Sequence, residues 1–336
     1  MPNPETPLPA LVALLGLFML GSLLAWSWAI GLRWRGQPLL PQAPPRQVPW
    51  GLGSVLTLIL LYLALNASVP FLLHRWIMGR GPSLLAMAKA SPEAFFIEQL
   101  LLLACINACV IVLTPQILNV TSAATRKDFG LGQDDQVGRN CVRGMVGWLM
   151  FTPGVYGMSI LATQLWMPIK HPLEEMVRAN PTPPVVILAV ISAVILAPAV
   201  EELLFRGVLQ GWLIRLWPEP KRGAAEPALL LPEEDFDGLW EQPGAMIAGP
   251  LPGIPRIPWR LPGRLERELS RAMPNLVTSM LFAAVHLPQW PAPVAIFALS
   301  MVLGVLYQRT GSIVGPIVLH ALFNGMSTLM LFTSLP

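Results

Sequence analysis

The chain has 336 residues, of which 12% are Asp, Glu, Lys or Arg, and its net charge is +3. An ordinary soluble domain carries about 25% charged residues. With 54% hydrophobic residues and a mean hydropathy of +0.58, the composition excludes a soluble cytosolic enzyme and intrinsic disorder. A pI near 9.0 on so small a net charge fits basic membrane loops better than a nucleic-acid partner. Cys105, Cys109 and Cys141 lie in or at the start of apolar runs, which argues against a disulfide framework or a zinc knuckle.

A helix needs about 20 largely apolar residues to cross the hydrocarbon core. In chain order the apolar runs are Leu8 to Leu32, Val48 to Leu73, Phe95 to Leu118, Cys141 to Met167 and Pro184 to Phe205, followed by Ala272 to Leu287, Pro291 to Tyr307 and Ser312 to Phe332. The expected fold is an all-α polytopic membrane protein of about eight transmembrane helices. The first run has its basic residues, Arg33 and Arg35, after it rather than before it, so it reads as an uncleaved span. Residues 1–180 form four spans with no assignable motif. Residues 183–334 form a second unit that holds the unusual polar residues.

Lys and Arg accumulate in cytoplasmic loops. Placing loops 1, 3, 5 and 7 on one side puts 17 basic residues there against 5 on the other. The expectation is therefore that these loops are cytoplasmic and both termini non-cytoplasmic, in a bacterial inner membrane. Ten of the 36 prolines fall between Pro218 and Pro262. That density, with mixed charge, reads as a Pro-rich cytoplasmic insert at 218–270, in which Arg260 to Arg271 would form a short basic amphipathic helix on an anionic leaflet.

Ionisable side chains inside a span mark function by default. Glu202 and Arg206 are four residues apart and share a helix face, which suits an ion pair. Glu201 lies about 100° further round and lacks that partner. Desolvation of its carboxylate suits a general base, and Pro198 removes a backbone donor beside it. His286 follows Phe282 by four residues, and Asn324 follows His320 by four. His320 and Asn324 can both donate to a developing oxyanion. Taken singly, the two Glu would also mark a span end, His286 a helix end, and His320 with Asn324 a helix–helix contact.

The three motifs in order, Glu-Glu-x-x-x-Arg, Phe-x-x-x-His and His-x-x-x-Asn, each on its own apolar run, resemble the CPBP family (CAAX protease and bacteriocin-processing) over about Pro183 to Ser334. That family includes type II CAAX prenyl endopeptidases and bacterial abortive-infection membrane proteins. The resemblance implies an intramembrane endopeptidase with its catalytic core in the C-terminal helices. It acts on a membrane-associated protein or peptide in the bilayer. On this pattern Glu201 and His286 activate water, His320 and Asn324 form the oxyanion site, and Glu202, Arg206 and Phe282 support it. No cofactor is required. Two alternatives stand beside this reading. One is a zinc-dependent metalloprotease with Glu201, His286 and His320 as ligands, although no His-Glu-x-x-His helix is present. The other is a non-catalytic transporter or adaptor.

Residue counting leaves one conflict. If the fifth run ends at Phe205, Glu201 sits near the loop-5 side, whereas His286 sits about 21 Å in from that side. Convergence of the two requires the His286 helix to start above the membrane, with Pro288 to Pro293 sunk in protein.

Overall fold

The computed structural model describes residues 8–44, 47–77, 91–132, 136–169, 172–217 and 263–333. Most of the Pro-rich insert, residues 218–262, lies outside them, and so does His171.

Among the described residues the chain is built of helices: α1 (Leu8–Trp34), α2 (Leu52–Ile77), α3 (Pro92–Ser122), α4 (Val137–Leu165), the short α5 (Pro172–Ala179), α6 (Pro183–Leu216), α7 (Gly263–Ala284), α8 (Ala292–Thr310) and α9 (Val314–Thr333). Seven of them, all but α5 and α7, are long and apolar enough to cross a membrane. The chain is an integral membrane protein. The difference from eight falls on α7, whose first half reads Gly-Arg-Leu-Glu-Arg-Glu-Leu-Ser-Arg and is too charged for hydrocarbon. At 22 residues α7 is nonetheless about 33 Å long, enough to run the height of the bundle. Of the basic stretch Arg260 to Arg271 expected as a separate surface helix, residues 263–271 open α7, and 260–262 lie outside the described residues.

The ends of the helices meet on two opposite faces. On one, Ala43 N–H donates to Arg309 O at 3.0 Å, Ser312 Oγ to Gly130 O at 3.1 Å, and Arg215 Nη1 to Val48 O and Trp50 O at 3.2 Å. Loops 1, 3 and 7 and the foot of α6 are thereby joined. On the other, Ile169 N–H donates to Trp290 O at 2.8 Å, with the Trp166 and Trp290 rings 5.3 Å apart. Gly130 explains how tightly the first face closes. Its φ is +84°, and a Cβ there would stand 2.9 Å from Ile313 N.

Within the bundle, small residues let backbones approach, as helices in lipid require. On α4 a Cβ at Gly144 would lie 2.5 Å from Gly315 O on α9. Between α7 and α8, a Cβ at Gly304 would collide with the Asn275 amide, which donates to Met301 O at 2.9 Å. Gly304→Ala should therefore destabilise the protein by about 1–3 kcal/mol through overpacking. Asn275→Ala in the same chain should recover most of that loss. Thermal unfolding of the purified variants in detergent checks both.

The counting conflict resolves in α6. This helix does not end at Phe205 but runs unbroken to Leu216, so Glu201 stands 15 residues, about 22 Å, from the loop-5 end. Its charges suggested a span end only because sequence cannot show that Glu202 and Arg206 are fully buried in protein rather than facing water. For the same reason Arg206 and Arg215 belong to the helix and not to loop 5. The loop after His286 is sunk only in part: Pro291 and Pro293 are buried, whereas Leu287 and Pro288 are exposed.

Candidate active site

α6 is widened into π-helical turns over Ile191–Leu196 and Leu203–Gln210, on either side of Ala197–Glu202. Such insertions recur at functional sites. Pro198 accounts for the first. Ala197 N–H bonds to Ser192 O, five residues back, so the next carbonyl in that register, Ala193 O, would need a donor from residue 198. Proline has none. Asn324 Nδ2 of α9 supplies it, donating to Ala193 O at 2.9 Å. This is a direct tie between the third motif and the helix of the first. It uses one of the two amide N–H groups of Asn324 and leaves the other.

One turn further on, the two glutamates part company. Glu202 is fully buried. Its Oε1 accepts from Arg206 Nη1 at 3.0 Å and from His320 Nδ1 at 2.8 Å. Glu201 faces a more open space: its side chain is 24% exposed, and its Oε2 stands 3.7 Å from His320 Nε2. His320 is thus held between two carboxylates by its two ring nitrogens. With Nδ1–H directed at Glu202, Nε2 is the nitrogen presented to Glu201 and to the open side.

Arg206 is also fully buried, and its charge is met from three directions. Besides Glu202, Nη2 donates to Ser300 Oγ at 2.9 Å on α8, and the guanidinium carbon lies 4.5 Å over the Phe282 ring of α7. Phe282 is a hub: its centroid is 4.9 Å from Phe205, 5.1 Å from His286 and 5.9 Å from His320. His286, just past the end of α7, turns Nδ1 to Phe282 O at 2.8 Å, which leaves its Nε2 free to act. Glu201, Glu202, Arg206, Phe282, His286, His320 and Asn324 therefore form one cluster from α6, α7 and α9. The closest ties run through His320, and His286 joins them across the Phe282 ring.

Ser300 and Gln210 were not singled out from sequence. Gln210 Nε2 donates to Gly304 O at 3.2 Å, one helix turn below Ser300 on α8. Glu202, Arg206 and Gln210 repeat at intervals of four, so the stripe was readable in the 3.6-residue period. Ser300 carried no signal, being one small residue in an apolar run. Ser300→Ala removes a bond to a buried charged group, and it should lower stability by about 1.5–3 kcal/mol. A urea or thermal unfolding titration of that variant measures it.

Among the described residues no three His, Cys, Asp or Glu side chains stand together as a metal site. His320 Nδ1 is engaged by Glu202 and His286 Nδ1 by a backbone carbonyl, which leaves Nε2 as the outward-facing nitrogen of each ring.

Residues 183–232 and 257–326 match the family described as type II CAAX prenyl endopeptidase Rce1-like. No curated protein and no solved structure matches the chain. The matched region spans the helices that carry all three motifs and both sides of the long insert, and over it the chain is similar to the type II CAAX prenyl endopeptidases.

Proposed function

We propose that the protein hydrolyses a peptide bond of a membrane-associated protein or peptide, with Glu201 as the general base. The observation that supports this is the unequal environment of the adjacent glutamates. Glu202 is sealed and ion-paired, whereas Glu201 reaches open space beside an imidazole nitrogen. Only Glu201 can meet a water and a substrate.

The steps balance on residues of this chain. Glu201 takes a proton from water, with His286 Nε2 holding that water. The hydroxide adds to the substrate carbonyl carbon, and the oxyanion receives hydrogen bonds from the second N–H of Asn324 and from His320, which carries a proton on each ring nitrogen when it donates through Nε2 as well as Nδ1. Collapse breaks the C–N bond, and the Glu201 carboxyl returns its proton to the leaving amine. Glu202 keeps His320 oriented throughout, and Arg206 holds Glu202. We place loops 1, 3, 5 and 7 in the cytoplasm of a bacterial inner membrane. The Pro-rich insert would then lie on that side, within a second unit at 183–334 preceded by a four-helix unit at 1–180.

The test is cleavage by the full chain in proteoliposomes. The probes are fluorogenic peptides ending in Cys-aliphatic-aliphatic-X, with and without a farnesyl thioether. Cleavage lost with Glu201→Gln supports the reading, and equal cleavage by that variant overturns it. Cleavage of both peptide forms alike would mean that prenylation is not part of recognition. Turnover should be unchanged by EDTA and 1,10-phenanthroline. Loss on chelation with recovery on added zinc would instead favour a metalloprotease.

A further inference from the structure

We propose that a membrane phospholipid binds between the ends of α6, α7 and α8, its phosphate diester held by Arg271 and Arg309 and one acyl chain lying along Val305 and Met301. The site is separate from the two glutamates and stands whether or not the chain cleaves a peptide.

Two side-chain rungs set the register of α7 against α8. Asn275 Nδ2 donates to Met301 O at 2.9 Å, and Gln308 Nε2 donates to Arg271 O at 3.0 Å. The two helices run in opposite directions, so Arg271, in the charged first half of α7, comes level with Arg309 in the last turn of α8. Ala43 N–H donates to Arg309 O at 3.0 Å, which brings loop 1 to the same level. Between these walls and Ile214 and Trp217, at the foot of α6, lies a cavity of about 290 Å³. That is near the lower end of the range for small-molecule sites.

The walls change character with depth. α8 has 19 residues, about 28 Å of helix, which covers the hydrocarbon core and leaves its last turn at headgroup level. Val305 and Met301 also line the cavity, about 6 and 12 Å deeper than Arg309. The cavity is thus cationic at headgroup level and apolar below it. Val305 is 43% exposed, so the cavity opens sideways onto the lipid-facing surface of the bundle. A soluble anion would meet only the upper wall, whereas a phospholipid matches both. Basic pockets between transmembrane helices suit lipid headgroups, and the guanidinium fork matches phosphate oxygens. Glu268 is the one acid among the described lining residues, so with the two arginines the wall carries a net +1, which one phosphate diester neutralises. A lipid held there would clamp α7, which carries Phe282 and His286, against α8.

The test uses the full chain, delipidated in detergent, with dioleoyl phosphatidylglycerol titrated in as mixed micelles. Dioleoylglycerol, which has the same chains without the phosphate, and inorganic phosphate are titrated in parallel. Phosphatidylglycerol should raise the melting temperature to a plateau, as a ligand of the folded state does, and the other two should leave it unchanged. Arg309 is exposed, so Arg309→Gln should fold normally and raise the half-saturating lipid concentration about 5- to 20-fold. Arg271→Gln with Arg309→Gln should abolish the response. Arg35→Gln, an exposed arginine outside the cavity, should leave it intact. Native mass spectrometry reads the same site without melting: one retained phospholipid in the wild type, lost in the double variant even if that variant is less stable. An equal response to inorganic phosphate would mean a simple anion site and overturn the proposal. So would an equal response to dioleoylglycerol, or a double variant that binds lipid like the wild type.

Discussion

Glu201→Gln should lower kcat by about 10²- to 10⁴-fold, the usual contribution of a general base, while the protein stays folded. Glutamine keeps the shape of the side chain and loses its basicity. The position is 24% exposed and its nearest ionic contact is 3.7 Å away, so little packing depends on the charge. Glu202→Gln is the informative partner. It should also lose activity, because His320 loses its charged acceptor, but it should do so together with a fall in melting temperature. The two adjacent substitutions thus separate chemistry from support. Measuring kcat and thermal unfolding on the same preparations reads both. A Glu202→Gln protein of wild-type stability, with Glu201→Gln the unstable one, would reverse the assignment.

Arg206→Ala should cost about 3–5 kcal/mol of stability, because it leaves Glu202 charged and sealed without its cation. The loss extends beyond the pair: Ser300 Oγ loses its donor, and the Phe282 face loses the guanidinium stacked over it. Arg206→Met combined with Glu202→Gln should recover much of the stability, since an uncharged pair of similar volume avoids the penalty of burying two charges. It should not recover activity, because His320 Nδ1 would face a neutral amide. Urea unfolding of the single and double variants in detergent supplies the comparison.

The all-α polytopic fold and the three motifs were legible because they rest on period and composition. An apolar run of 20 residues is a property of the run itself, and Glu202 with Arg206 share a face on any straight helix. Four features were not legible, each for a physical reason. The end of α6 was misplaced from Leu216 to Phe205 because a charge in a sequence looks the same whether water or a counter-ion meets it. The tie from Asn324 to Ala193 O depends on a π-widened turn and on a carbonyl that Pro198 leaves without a donor. That register exists only once the helix is built. Ser300 belongs to a partner helix, and the approach of one helix to another is set by side-chain fit over the whole bundle. The aromatic ring of Phe282 was visible in its motif, but its place between Arg206, His286 and His320 was not.

The central claim is that a water activated at Glu201, and not an enzyme carboxylate acting as nucleophile, attacks the peptide bond. A single turnover in H₂¹⁸O, with enzyme in excess over peptide, tests it most directly by mass spectrometry of the new C-terminus. The account predicts one solvent ¹⁸O in every product carboxylate from the first turnover, with none in Glu201. Unlabelled oxygen in the first-turnover product, together with label appearing in Glu201, would mean an acyl-enzyme formed on the glutamate and would contradict it.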